Sequence, residues 1–239
     1  MQEEREKIKV FLAEDHVVVR EGLREIIRRE ADMEVVGEAG DGIEAVRLVR
    51  ELQPDVVIMD IAMPGLSGIE ATRQVKASLP QTGILVLTAY DNPEFVFGAI
   101  EAGAAGYLLK NARGKELLNA IRATHEGESV LHPDIARSIF TRLPLPEAKQ
   151  QPSGETSEVL SERELEVLRL AVDGLGNKQI ATALSLGPRT IQTHWRNIFN
   201  KLGVSSRTEA IVYCLRRNWL SLGEEGETDN DEGIGDISA

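Results

Sequence analysis

From residue 8 onward, short blocks of successive apolar residues alternate with stretches whose apolar positions recur every three to four residues. The blocks are IKVFLA (8–13), MEVVGEA (33–39), DVVIMD (55–60), GILVLT (83–88) and AGYLLK (105–110). Between them lie stretches of helical period, such as Leu23, Ile26 and Ile27, or Ala45, Leu48 and Val49. Strands that are apolar on successive residues, rather than alternating, suit a parallel sheet covered by helices on both faces. Residues 6–126 are therefore expected to form a doubly wound, five-stranded parallel α/β domain with its site at the carboxyl edge of the sheet.

The pattern changes after residue 126. A helical piece, PDIARSIFTRL (133–143), leads into LPLPEAKQQPSGETSEV (143–159), whose Pro, Gly and Gln content suits a flexible linker. Residues 127–159 are thus expected to be a helical extension and linker. From 160 to 222 the spacing predicts a small all-α domain. Ser161 and Glu164 make a capping box, so a helix should begin at 162 with Leu165, Leu168 and Ala171 or Val172 inward. DGLG (173–176) breaks it, and Asn177 is expected to cap a second helix carrying Ile180, Ala181 and Leu184. Gly187 and Pro188 then open a third helix, 188–202, with Ile191, Trp195, Ile198 and Leu202 on one side. Gly203 ends it, and Ser206 with Glu209 caps a last helix. Helix, tight turn, helix is an arrangement whose second member enters a major groove.

Charge sharpens this division. The chain of 239 residues carries a formal net charge of -12. Yet residues 158–222 hold 9 Lys/Arg against 6 Asp/Glu, whereas residues 223–239 hold 7 acids and no base. That tail is expected to be disordered. An acidic total does not exclude nucleic acid when one domain presents a cationic face. No apolar run is long enough to cross a bilayer and the start MQEEREKIKV has no apolar signal segment, so a cytoplasmic location is expected. The single Cys214 sits in the apolar run AIVYCL and reads as a buried small hydrophobe.

The polar residues that end the strands carry the candidate chemistry. Glu14 and Asp15 close the first strand and Asp60 the third, and a doubly wound sheet makes those ends neighbours. Three converging carboxylates require a cation, and an all-oxygen set favours a hard divalent ion, magnesium. Thr88 and Lys110 end the fourth and fifth strands. A hydroxyl and an ammonium are the groups that an aspartyl-phosphate on Asp60 would need.

The segments AEDH (13–16), VVIMDIAMPGLSG (56–68), LVLTAY (85–90) and AGAAGYLLK (102–110) resemble the receiver domain of two-component response regulators, a flavodoxin-like fold. The resemblance implies that Asp60 takes a phosphoryl group from a sensor histidine kinase. It further implies that Asp15, Asp60 and the Ala62 backbone carbonyl hold magnesium, with Glu14 acting through water. Thr88 and Lys110 would contact the phosphoryl oxygens, and Tyr107 would turn inward as Thr88 moves, simple packing of its ring being the alternative. Glu14 stands where many receivers have aspartate, and Asn111 follows Lys110 where many have proline. His16 is expected to pack or cap the first helical turn rather than bind metal.

With its apolar side turned inward, helix 188–202 presents Arg189, Gln192, Thr193, Arg196 and Asn200, flanked by Asn197 and Lys201, with no acid among them. Such groups read base edges or clamp phosphates. LSERELEVLRLAVDGLGNKQIA (160–181) and RTIQTHWRNIFNKLGVSSRTEA (189–210) resemble the LuxR-type DNA-binding domain. Both modules in this order make the chain similar to the NarL/FixJ family of response regulators. That resemblance implies that Lys178, Thr190 and Lys201 position the DNA backbone and that Gln192, Thr193 and Arg196 approach bases. It also implies a homodimer through the last helix, with Val212, Leu215, Trp219 and Leu220 as contacts, on an approximately palindromic promoter, and RNA polymerase as a further partner. Gly187 and Gln192 depart from the hydroxyl and lysine frequent in that family. Two other classes compete. An aspartyl-phosphate hydrolase would want a second carboxylate soon after Asp60, where Ile61, Ala62 and MPG stand instead. A non-DNA-binding adaptor would be indifferent to Arg196.

Overall fold

The computed structural model describes residues 7–90, 92–128, 130–131, 160–217 and 219–220. The expected helix at 133–143, the linker at 143–159 and the acidic tail at 223–239 lie outside the described residues. Six strands, β1 (Ile8–Ala13), β2 (Met33–Ala39), β3 (Val56–Met59), β4 (Gly83–Thr88), β5 (Gly106–Leu109) and β6 (Val130–Leu131), form one parallel sheet in the order β2-β1-β3-β4-β5-β6. The helices α1 (Val17–Arg28), α2 (Gly42–Leu52), α3 (Gly68–Ser78), α4 (Pro93–Glu101) and α5 (Gly114–His125) connect them.

Successive strand residues serve opposite faces. Val10 and Leu12 pack with Ile27, Leu117 and Ile121 from α1 and α5, while Phe11 and Ala13 pack with Val46, Val49 and Val75 from α2 and α3. This is why the strands are apolar throughout. The sheet has one strand more than expected. β6 is only two residues long, below what periodicity reveals, and it lies against β5 because Gly106 has no Cβ: one would come within 2.9 Å of the Val130 carbonyl oxygen. The expected strands 55–60 and 105–110 end one residue sooner, so Asp60 and Lys110 stand in the loops just beyond them.

The second domain contains α6 (Glu162–Val172), α7 (Asn177–Ala183), α8 (Pro188–Leu202) and α9 (Arg207–Arg216) around a core that includes Val167, Leu168, Ile180, Ile191, Trp195 and Ile198. The Ser161–Glu164 capping box and the left-handed Gly203 cap are as expected. The cap of α7 is a correction. Gly176 occupies that position and Asn177 is the first helical residue. Its amide is drawn inward: Trp195 Nε1 donates to Asn177 Oδ1 (2.9 Å) and Asn177 Nδ2 donates to the Glu126 carbonyl (2.8 Å).

The two domains are packed together. Ser206 Oγ donates to the Ala104 carbonyl (3.1 Å) and Thr208 Oγ1 to that of Ala105 (2.9 Å). Val212, expected as a dimer contact, is covered by the first domain in this packed arrangement, buried with Ile61, Val96, Ile100 and Tyr107. An apolar side chain on an otherwise polar face has found the nearest apolar partner, which belongs to the same chain. Leu215 and Trp219 are half-buried against the core of their own domain, where Leu220 is also buried. Among the described residues no helix is long and apolar enough to cross a membrane.

Candidate functional site

The strand order reverses between β1 and β3, and the crevice beyond their carboxyl ends is where an open α/β sheet binds its ligand. Glu14 and Asp60 meet there, 2% and 3% exposed. Lys110 arrives from the end of β5 and bridges them, with Nζ 2.8 Å from Asp60 Oδ2 and 2.8 Å from Glu14 Oε2. Burial opposes its charge, but the hydrogen bonds and charges of Asp60 and Glu14 outweigh this and hold the ammonium pKa above the usual lysine value. The Ile61 amide donates to Asp60 Oδ1 (2.7 Å). Loop and helix are pressed close here: a Cβ on Gly68, the first residue of α3, would fall 1.8 Å from the Asp60 carbonyl oxygen. Ala62 lies exposed on the same loop.

One ammonium cannot balance three carboxylates. Asp15 Oδ1 is buried yet accepts no hydrogen bond among the described residues. His16 Nδ1 lies 2.6 Å from it and 3.1 Å from Glu14 Oε1. His16 is the residue before α1, but its side chain caps nothing; it faces the acids, chiefly Asp15, which raise the imidazole pKa. Glu14, Asp15, His16 and Asp60 offer ligand atoms within 4.8 Å of one another. A cluster of carboxylate oxygens this close fits a hard divalent cation.

Thr88 is fully buried and its Oγ1 accepts from the Tyr90 amide (3.4 Å). Tyr107, expected to turn inward on activation, already stands fully buried, with its hydroxyl donating to the Tyr90 carbonyl (2.8 Å).

On α8, Ile191, Trp195, Ile198 and Leu202 are buried, whereas Arg189, Thr190, Gln192, Thr193, Arg196 and Asn197 are exposed as expected. Two expected backbone contacts are engaged elsewhere. Lys201 Nζ pairs with the buried Glu164 of its own domain (2.7 Å). Lys178 Nζ pairs with Glu126 at the end of α5 (2.8 Å), and the Asn177 amide, at the amino terminus of α7, donates to Glu128 Oε1 (2.9 Å). Gln192 and Arg196 line a cavity shared with the first domain. Glu126, Glu128 and Asn177 were not foreseen as functional residues, because their pairing spans about fifty positions and leaves no local signal.

Residues 10–122 match the response regulator receiver domain, and residues 158–214 match the bacterial regulatory proteins of the luxR family. The chain is 44% identical to the transcriptional regulatory protein LiaR of Bacillus subtilis over 217 residues, covering 90% of this chain and all of that one. A crystal structure of a LuxR-family response regulator from Aurantimonas sp. SI85-9A1 is similar with a TM-score of 0.54 and 42% identity, covering 56% of this chain and 96% of that one. A structure of two RcsB dimers bound to two parallel DNAs is similar with a TM-score of 0.52 and 27% identity, covering 88% of this chain and 98% of that one.

Proposed function

The chain belongs to the NarL/FixJ-like family of two-component response regulators, a receiver domain joined to a LuxR-type helix-turn-helix domain, and on that premise we propose that Asp60 is the phosphoacceptor and α8 the DNA-reading helix. As a member it is a phosphorylation-regulated, DNA-binding transcription factor, not an enzyme acting on an external substrate.

The observation that carries the assignment is the bridge of Lys110 between Asp60 and Glu14. An Asp60 oxygen attacks the phosphorus of a phosphohistidine on the sensor kinase; the new P–O bond forms as the P–N bond breaks, and the imidazole leaves. Lys110 moves from carboxylate to phosphoryl oxygen, and Thr88 turns its hydroxyl toward the same group. Asp15, Asp60 and the Ala62 carbonyl would hold magnesium, with Glu14 acting through water. When bound, the ion neutralises charge on the transferring group.

The packed arrangement supplies the other half of the switch. Ile61, next to Asp60, and Tyr107 belong to the same buried cluster as Val212 of α9. Rearrangement at Asp60 therefore acts on the surface that holds the second domain. While that surface is closed, Lys178 is paired with Glu126 and Arg196 and Gln192 face the receiver. Opening releases them to DNA. It also releases Val212, which with Leu215 and Trp219 joins two copies on a roughly palindromic site, with half-sites about 34–36 Å apart. A neutral site at residue 60 tests this. With magnesium and a low-molecular-weight phosphodonor, the natural chain should be labelled and should gain affinity for duplexes selected from a random pool. Asp60→Asn should do neither, and labelling at the natural level would refute the assignment.

A further inference from the structure

A cavity between the domains, about 380 Å³, has a chemistry that the switch does not use. Two of its lining residues are buried cations, one from each domain: Lys76 of α3, 7% exposed, and Arg207 of α9, 5% exposed. Among the described residues, neither has a carboxylate within 4.0 Å. Lys76 Nζ donates only to the neutral carbonyls of Pro80 (2.6 Å) and Thr82 (3.1 Å). Arg207 spends its terminal nitrogens on the carbonyl of Leu175 and, at 3.5 Å, on those of Ala171 and the Asn177 side chain, and its guanidinium lies 5.1 Å from the centre of the Trp195 ring. Among the described residues its Nε is left buried without a partner. So is the hydroxyl of Thr124, on the receiver wall of the same cavity and 4% exposed.

Two acids, Glu126 and Glu128, also line the cavity, and these and Glu209 accept from other groups. Glu209, which acts on Lys76 at longer range, accepts from the Ser205 amide (2.7 Å). Glu128, which acts on Arg207 in the same way, accepts from the Asn177 amide, and Glu126 is taken by Lys178. Burial consequently dominates both cations and pushes the Lys76 pKa down to about 8 and that of Arg207 down to about 10. Buried charges in folded proteins are normally paired, and buried donors are normally bonded. Here two cations, an N–H and an O–H lack an anionic acceptor around one space of small-molecule size.

We infer that this interdomain cavity binds a small molecule bearing an oxyanion, phosphate or carboxylate, whose charge lies beside Lys76 and Arg207 and toward which Thr124 turns its hydroxyl. Trp195 offers its apolar body a wall. Because the site is made of both domains, occupancy stabilises their packed arrangement and lowers affinity for DNA by linkage. The site rests only on the packing of the two domains; its effect on DNA rests in addition on α8 being the reading helix, and the two are measured separately.

The chain has two tryptophans, so Trp219→Phe in the full-length protein leaves Trp195 as the sole reporter inside the cavity. Its fluorescence is titrated with inorganic phosphate and with citrate, against chloride at matched ionic strength. At least one anion should give a saturable change that chloride does not, and the comparison of the two separates phosphate from carboxylate recognition. Lys76→Met and Thr124→Val, each checked for native circular dichroism, should weaken that binding roughly tenfold, as expected for losing a charge-assisted or buried hydrogen bond. Absence of a saturable response to either anion, or equal affinity in all three proteins, would overturn the site. Saturable binding with unchanged DNA affinity would keep the site and overturn its locking role.

Discussion

A single side chain, Lys110, sets the electrostatic state of the acidic pocket around Asp60. Its ammonium is the shared partner of two carboxylates that are almost wholly buried, and such acids left unpaired repel and resist ionisation. Its own pKa is raised in the folded chain, so its contribution is present below the ordinary lysine value near 10.5 and is lost only as pH rises through the higher folded value. Lys110→Met should therefore cost about 2 kcal/mol at pH 7 without divalent ions, the lysine being partly solvated. Urea unfolding of the two proteins at pH 7 measures this, and equal stabilities would contradict it. Glu14, Asp60, Thr88 and Lys110 were legible in the sequence because each is a polar residue closing an apolar block. The commitment of Lys201 was not, because Glu164 lies 37 positions away and nothing local marks it as buried.

At the scale of the element, α3 shows how an ordinary amphipathic reading fails. Its buried side comprises Gly68, Ala71, Thr72, Val75 and also Lys76, a residue whose spacing puts it on the buried stripe although its charge alone would assign it to solvent. Its Nζ reaches the carbonyls that follow the helix, so geometry is satisfied while charge is not. With the folded pKa near 8 and the unfolded value near 10.5, the unfolded chain binds more protons between them. Stability should rise across that window by up to about 3 kcal/mol, and the penalty is fully present below pH 8. Lys76→Met should raise stability at pH 7 and flatten the rise between pH 8 and 10.5. Parallel profiles for the two proteins would show that this lysine is not the source. Long elements such as α8 kept their predicted bounds, since fifteen residues of strict periodicity between a Gly-Pro start and a glycine stop leave little freedom. β6 escaped, because two residues have no period.

The whole molecule is a closed pair of domains in which receiver acids occupy a cation and a helix-terminal amide of the helix-turn-helix domain. Glu126 holds Lys178, and Glu128 holds the amide at the amino terminus of α7. Both acids lie on the receiver, so replacing them leaves the helix-turn-helix domain untouched. The double variant Glu126→Gln with Glu128→Gln should bind duplex DNA severalfold more tightly than the natural chain when neither is phosphorylated. The gap should narrow once both are phosphorylated. Fluorescence anisotropy with one labelled duplex decides this, and identical affinities before phosphorylation would show that these contacts do not restrain the domain.

What the sequence by itself determined was local and periodic: alternating strand and helix, the caps of α6, α8 and α9, and the polar residues that close β1, β3, β4 and β5. These follow from neighbours along the chain, so a one-dimensional pattern records them. Only the tertiary structure decided that Val212 packs on the receiver, that Asn177 joins Trp195 to α5, and that Lys76 and Arg207 share one cavity. Those arrangements depend on which faces two separately folded domains present to each other, and such complementarity leaves no period in either one.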